Sequence, residues 1–514
     1  MIKYFFEYVS ILMVATMFFY SCDYKDKGVT DVTPVSDIVI DTTGIPVRHE
    51  IENGELLRIS PGISREGTVA KDFEYEWRIT KKPGSDLKVY DVIGREEELN
   101  AIVELTPSSD FYTLWLRVTD KSTGLIKGIV WQVVVQTPIM QGLIVADSDN
   151  GIQSDLTLIQ DTLFTTGWVE DPYATPLVNR KTVVKRNEFS RVHGNKIDGI
   201  VHSLFAQRLY QDGIYRNFLH GASPTDAFRI NSLDYSIVAR GKQLFYDNTV
   251  KLNVNRYFQS GSNVLLANSG KVSTRLAERN TTFGYNKFGI EIPGDYYVNR
   301  HIAVHPTISS NAIFYDEGLG KFLKLGSYID VKAKPTDCGA ETTPFEPRNM
   351  PGYQVLGGGV GNLAEARFVL KKGNQYGVFI LTSAGAAKRM FDISDAPEID
   401  KAVSFVFPSD QAVIYYATTT KVYSIRIPQG GNTTYTELYT SSQSITMLEM
   451  LRRSGSRAVP NSERCLLVIS YDGTEGRITT LPIPTSGLDL GIVDVNRAVT
   501  FGGFKKISAV AVQE

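Results

Sequence analysis

Cysteine is nearly missing from this chain: 514 residues contain three, Cys22, Cys338 and Cys465. So few exclude a disulfide-dense scaffold, and a single bridge between Cys338 and Cys465 is open but not expected. An excess of one charge is missing too. The 54 Lys and Arg nearly match the 56 Asp and Glu, the formal net charge is -2, and no long basic run occurs. A nucleic-acid surface needs such an excess, so that class is excluded. No Gly-x-Ser-x-Gly elbow is found, which removes the simplest nucleophile signature. What is present is a globular composition, 42% hydrophobic and 21% charged, with 26 Tyr, 25 Phe and 43 Gly. That mixture suits many short strands joined by tight turns, and the fold class expected is all-β.

One pattern recurs from Pro138 to the end. Ala412 begins Ala-Val-Ile-Tyr-Tyr-Ala, a polar turn follows, and Lys-Val-Tyr-Ser-Ile-Arg-Ile ends at Ile427. Two β-rich runs across a short turn read as an antiparallel hairpin. The same shape returns at Val264 to Leu276, Ala312 to Leu325 and Leu466 to Leu481, with looser copies at Leu143 to Ile159, Leu204 to Leu219 and Tyr376 to Ile393. A recurrence of roughly 40 to 60 residues is the period of a β-propeller blade. The hairpins predict about seven blades, with six or eight as alternatives, and the run Phe501 to Val512 is placed to complete the first blade.

The amino terminus carries an address. After Lys3, the apolar run Tyr8 to Tyr20 is too short to span a bilayer but has the length of a signal-peptide core. It ends in Phe19-Tyr20-Ser21-Cys22, which looks like a lipobox with Cys22 as the lipidated residue, although Tyr20 is bulky for such a motif. The alternative is an ordinary signal peptide with an incidental cysteine. Residues 1–21 are therefore expected to be a lipoprotein signal peptide and residues 22–37 a charged tether. The tether Asp23-Tyr24-Lys25-Asp26-Lys27 resembles the surface-export signals of Bacteroidetes lipoproteins.

Residues 38–137 alternate turn clusters with strand-like runs, as a small immunoglobulin-like sandwich requires. Trp77 lies mid-strand with Tyr75 and Ile79 on the same face. Trp77, Trp115 and Trp131 are read as core in preference to a sugar-stacking platform. Together, the lipobox, the tether, Tyr75-Glu76-Trp77, the stretch Leu114 to Gly124 and the Val-rich strand after Trp131 resemble the PKD-like family of Bacteroidetes lipoproteins, without the Gly-Asp-Gly turn of a full PKD domain. The resemblance is most direct over residues 23–140. It implies a sandwich followed by a propeller-like region, here residues 138–514, and an accessory role beside outer-membrane importers of the starch-utilisation type. It supplies no catalytic residues.

Candidate sites fall mainly in the long inserts 165–196, 275–301 and 332–361, because a propeller binds through loops at a channel mouth. Trp168 and Tyr173, flanking Glu170 and Asp171, form the most ligand-like set, since exposed aromatics stack on sugar rings and acids accept from hydroxyls. Asp147 to Gly151 suggests a calcium loop, but the position that should hold its last acid is Leu158, so a strand-end turn is expected. His301 and His305 are read as ordinary polar residues, since no Glu follows His301 as in a zinc protease. Gly357 to Gly361 reads as a flexible corner and Asp472-Gly473 as a hairpin turn. Asp41-Thr42-Thr43 and Asp161-Thr162-Leu163 resemble the O-glycosylation pattern of Bacteroidetes envelope proteins.

These readings converge on a lipid-anchored, cell-surface protein of the outer membrane with no catalytic motif, metal set or cofactor. Its expected work is to bind a glycan or peptide through propeller loops for an uptake system. The alternatives are a structural subunit docked on the importer and a propeller glycosidase or lyase.

Overall fold

The computed structural model describes residues 36–67, 72–84, 88–108, 110–136, 141–166, 182–211, 214–260, 263–275, 287–305, 311–326, 334–339, 344–453 and 458–513. The chain divides into two compact units, Met1–Ile139 and Met140–Glu514. No helix among the described residues is long and apolar enough to cross a membrane.

The first unit is a β-sandwich. One layer runs, in spatial order, Arg48–Glu52, Ile126–Gln136, Tyr112–Asp120, Phe73–Thr80 and Tyr90–Gly94, with the first pair parallel and the others antiparallel. Two short pairs, Leu56–Ile59 with Leu99–Ile102 and Val39–Asp41 with Gly62–Ser64, complete it. Alternation makes the core: Phe73, Tyr75, Trp77 and Ile79 point inward from one strand, and Tyr112, Leu114, Leu116 and Val118 from its neighbour. Trp77 is fully buried and stacks on Trp131 at 5.4 Å between ring centroids. Trp115 belongs to the opposite face, where the Arg78 guanidinium lies 4.8 Å from its ring. The three tryptophans are thus split between core and outer face, and no common platform exists.

The second unit is a propeller of seven antiparallel sheets. Blade 1 combines Lys506–Gln513 from the carboxy terminus with Gly142–Ser148, Gln153–Asp161 and Thr182–Lys185; Ile197–Asp198 also pairs with Gln153–Asp161. Blade 2 is Ser203–Gln211, Ile214–Ala222, Ala227–Asn231 and Ile237–Arg240, and blade 3 is Val254–Ser260, Asn263–Asn268 and Lys271–Arg275. Blade 4 is Ile302–Ala303, Ala312–Asp316, Lys321–Leu325 and Thr336–Asp337; blade 5 is Gln354–Val360, Ala366–Lys372, Gln375–Leu381 and Ala387–Asp392. Blade 6 is Ser404–Val406, Val413–Ala417, Lys421–Arg426 and Thr434–Thr440, and blade 7 is Ser444–Met450, Cys465–Tyr471, Gly476–Pro482 and Val499–Phe504.

Burial closes the ring. Seven apolar clusters each join two successive blades, ending with Leu143, Val145 and Ile159 of blade 1 against Leu467, Ile469 and Ile478 of blade 7. The last strand, Lys506–Gln513, pairs with Gly142–Ser148 and so ties the two ends of the unit together. Closure of this kind removes the free edge that an open stack of sheets would expose.

The Gly357 to Gly361 stretch is not a flexible corner. Gly357, Gly358 and Gly359 lie in the first strand of blade 5, with a bulge between Val355 and Gly357. Glycine is required there by close approach: a Cβ on Gly359 would sit 2.9 Å from Phe407 Cβ of blade 6, and one on Gly357 2.8 Å from Phe405 Cβ. Gly359→Ala should therefore cost about 1–3 kcal/mol through overpacking, read as a shift of the urea midpoint. An unchanged midpoint would show that the phenylalanines yield freely.

Candidate functional site

In a seven-membered ring, a blade lies opposite those three or four places on, and residues on the first strands of opposite blades meet only across the central channel. Arg256 is on the first strand of blade 3, and Glu449 on that of blade 7. Each feels the charge of the other, so the two face one another across the channel. Arg300 and His301 immediately precede the first strand of blade 4, and His305 follows it by two residues. His305 in turn feels Arg452 and Glu463 of blade 7, again from the far side.

Two clamps order this cluster. On the blade 3–4 side, Arg256 donates to the Arg300 carbonyl, and Arg300 Nε donates to His301 Nε2 at 3.3 Å. Burial and the two flanking guanidinium groups push His301 down to about 3, so the ring is a neutral acceptor. On the blade 7 side, Glu463 accepts from the Ser409 backbone at 3.0 Å, from the Ser409 hydroxyl at 2.9 Å and from Arg452 Nε. Arg452 also donates to the Phe407 carbonyl at 2.8 Å. Burial opposes the Arg452 charge, and Glu463 more than restores it.

The acids are tuned in the other direction. Glu449 reaches solvent, but the solvent of a confined channel, and desolvation raises its carboxyl against the pull of Arg452 and Arg256. Asp410 is raised by desolvation and by the like charge of Glu463, while Arg464 at 3.5 Å draws it back. Glu463 and Asp410 thus have cationic partners. Arg256 and Arg300 make no ion pair among the described residues, which leaves two guanidinium groups turned on the channel beside a neutral imidazole. That arrangement can hold a carboxylate or sulfate bidentately, with Glu449 and His301 to meet hydroxyls.

Sequence reasoning placed few of these residues. His301 and His305 do belong to the cluster, in an arginine-rich setting that the pattern around them did not reveal. Arg256, Arg300, Glu449, Arg452 and Glu463 were not singled out; aligning the blades would have found the first four as charges on or beside first strands, whereas Glu463 precedes the second strand of blade 7. Trp168, Glu170, Asp171, Tyr173 and Cys22 lie outside the described residues. No group of metal-ligating side chains is found among the described residues. Asp147 instead accepts from the Lys505 backbone at 2.7 Å at the end of its strand. Cys338 and Cys465 are buried free thiols in different inter-blade clusters.

The sequence model of the PKD-like family matches residues 22–199. The amino-terminal third of the chain is thus similar to that family. The match runs through the sandwich and on through the first-blade residues as far as the strand Ile197–Asp198, so the PKD-like segment and the first unit do not share one boundary. No curated protein matches the chain. Among solved structures, a quinoprotein alcohol dehydrogenase-like protein from Bacteroides thetaiotaomicron is 11% identical, with 94% of this chain and 100% of that one covered and a TM-score of 0.43. PorZ of Porphyromonas gingivalis, described as a surface component of the type-IX secretion system, is 12% identical over 72% of this chain and 48% of its own, with a TM-score of 0.34. Virginiamycin B lyase of Staphylococcus aureus is 11% identical over 67% and 88%, with a TM-score of 0.35. Likenesses at this level carry no argument about substrate or reaction.

Proposed function

We propose that the propeller binds an anionic ligand in its channel, a carboxylated or sulfated saccharide or an acidic peptide, as the surface component of a nutrient-uptake system. The observation that carries the reading is the pair of guanidinium groups, Arg256 and Arg300, without ion-pair partners among the described residues and beside neutral His301. The lipobox-like Cys22 and its charged tether support anchoring at the outer membrane, and the PKD-like segment supports a sandwich as spacer. Docking on an importer of the starch-utilisation type belongs to the same proposal.

Binding should be visible by titrating the full chain with uronate-containing and sulfated oligosaccharides and with their neutral counterparts. Arg256→Met should weaken the charged ligands by about tenfold or more, the value of losing a charge-assisted contact, and leave neutral sugars unaffected. Equal affinity of wild type and Arg256→Met for every charged ligand would refute the channel as the site.

A second reading rests on Glu449 and His301, whose environments push a carboxyl up and an imidazole down. A carboxyl that keeps its proton more readily beside a ring held unprotonated is the pairing an acid and a proton acceptor in one site require. A hydrolase or lyase would then act on the same ligands. New reducing ends or unsaturated products in the titration mixtures decide for it, and their absence at saturating ligand decides for binding alone.

A further inference from the structure

At the interface of blades 2 and 3, Arg275 is a buried positive charge with no acid paired to it among the described residues. Arg275, at the end of the third strand of blade 3, is 2% exposed. Its Nη2 donates to Gln207 Oε1 on the first strand of blade 2 at 2.8 Å, and its Nε has no partner. Arg275 makes no ion pair among the described residues. Burial opposes its charge; of the groups that act on it, the Tyr257 hydroxyl is pushed up to about 12 by burial and so stays neutral, and Arg229 is of like sign and also buried, its guanidinium 5.4 Å from the Phe218 ring. His220, fully buried beside them, shares a 2.8 Å hydrogen bond between Nδ1 and the Tyr257 hydroxyl, stacks on Phe205 at 4.7 Å, and has no partner at Nε2. Burial and the two arginines hold His220 neutral, so it brings no compensating charge.

An uncompensated guanidinium in an apolar interior costs several kcal/mol, and unfilled buried donors add to that cost. From this arrangement we infer that the blade 2–3 interface binds a small anion. With the Tyr257 hydroxyl donating to Nδ1, the His220 proton sits on Nε2, and Nε–H of Arg275 and Nε2–H of His220 are the two donors it fills. Phe205, Phe218 and Tyr257 pack around the His220 ring, and two donors in so apolar a setting match a monatomic halide better than an oxoanion, whose further oxygens would need donors of their own. The site is separate from the channel cluster, and neither Arg256 nor Glu449 takes part.

The test compares melting of the full chain in sodium gluconate, chloride and bromide at one ionic strength. Wild type should melt higher in the halides, in a saturable manner. Crystals grown in bromide should show an anomalous peak beside Arg275 Nε. Gln207→Glu places a carboxylate on Arg275 Nη2; it should melt above wild type in gluconate and respond no further to halide. Arg275→Met should lose the halide response as well. The proposal is overturned by equal melting of wild type in gluconate and bromide, by a Gln207→Glu chain that keeps the full halide response, or by one that fails to fold in gluconate.

Discussion

Taking the chain from pH 6.5 to pH 5 should remove roughly 3 kcal/mol of propeller stability, and two histidines account for it. His220 is fully buried and His301 is hemmed in by Arg300 and Arg256; burial is the main cause for both, and both are held well below the usual imidazole value. In the unfolded chain each would titrate at about 6.5. Below that pH the unfolded state takes up protons that the folded state refuses, so stability that is fully present above about 6.5 drains away as the pH falls, by about 1.4 kcal/mol per unit for each imidazole once the difference is complete. His202 and His305 are also lowered by burial and act in the same sense. Asp147, Asp226, Asp410 and Glu449, raised by burial, act in the opposite sense as they themselves take up protons, and offset part of the loss at the acid end of the range. Urea midpoints followed by far-ultraviolet circular dichroism across this range measure the slope. His301→Asn should reduce it, and a stability that is flat from pH 6.5 to 5 would contradict the assignment of both rings as neutral.

The blades were legible because each carries one hairpin with a strong local signal. Leu466 to Leu481 became the two middle strands of blade 7, with Asp472 Oδ1 accepting from the Thr474 and Glu475 backbones at 2.9 and 2.8 Å to form the turn. The middle strands do not alternate in burial. Val413–Ala417 and Ala312–Asp316 are buried at every residue, because a middle strand has a neighbouring blade on each face. First and last strands were harder to see. Ile302–Ala303 and Thr336–Asp337 are two residues long, below the length at which a period can be read. Gln354–Val360 was hidden by its three glycines, a composition that signals a turn unless one knows that Phe405 and Phe407 approach it.

The candidate site was less legible than the fold for a related reason. Its residues come from blades 3, 4, 6 and 7, and their sequence separation runs from one position, Arg300 to His301, to just over two hundred, Arg256 to Glu463. No local motif can announce a constellation that exists only after the ring closes. What the sequence could offer was the first strand of each repeat as the place to look.

The second large effect is expected in the sandwich. Trp77→Ala should cost about 3–5 kcal/mol, a large part of what a domain of this size commonly has. Trp77 is fully buried, stacks on Trp131, and donates Nε1–H to the Glu96 carbonyl at 2.9 Å. Truncation would remove the indole from the centre of the core, open a cavity between the two layers and leave that carbonyl without its donor. Collapse is resisted because the flanking positions on the same strand, Tyr75 and Ile79, are themselves committed to the core. Trp115→Phe is the control: its ring lies on the outer face beneath Arg78, and the change should stay within about 1 kcal/mol, the order of a cation–π contact. Three of the four tryptophans of the chain, Trp77, Trp115 and Trp131, lie in this unit, so indole fluorescence during denaturation reports on it preferentially. A Trp77→Ala midpoint close to that of Trp115→Phe would mean that the stacked pair is not the keystone of the sandwich, and that the apolar strands on either side hold it without an aromatic centre.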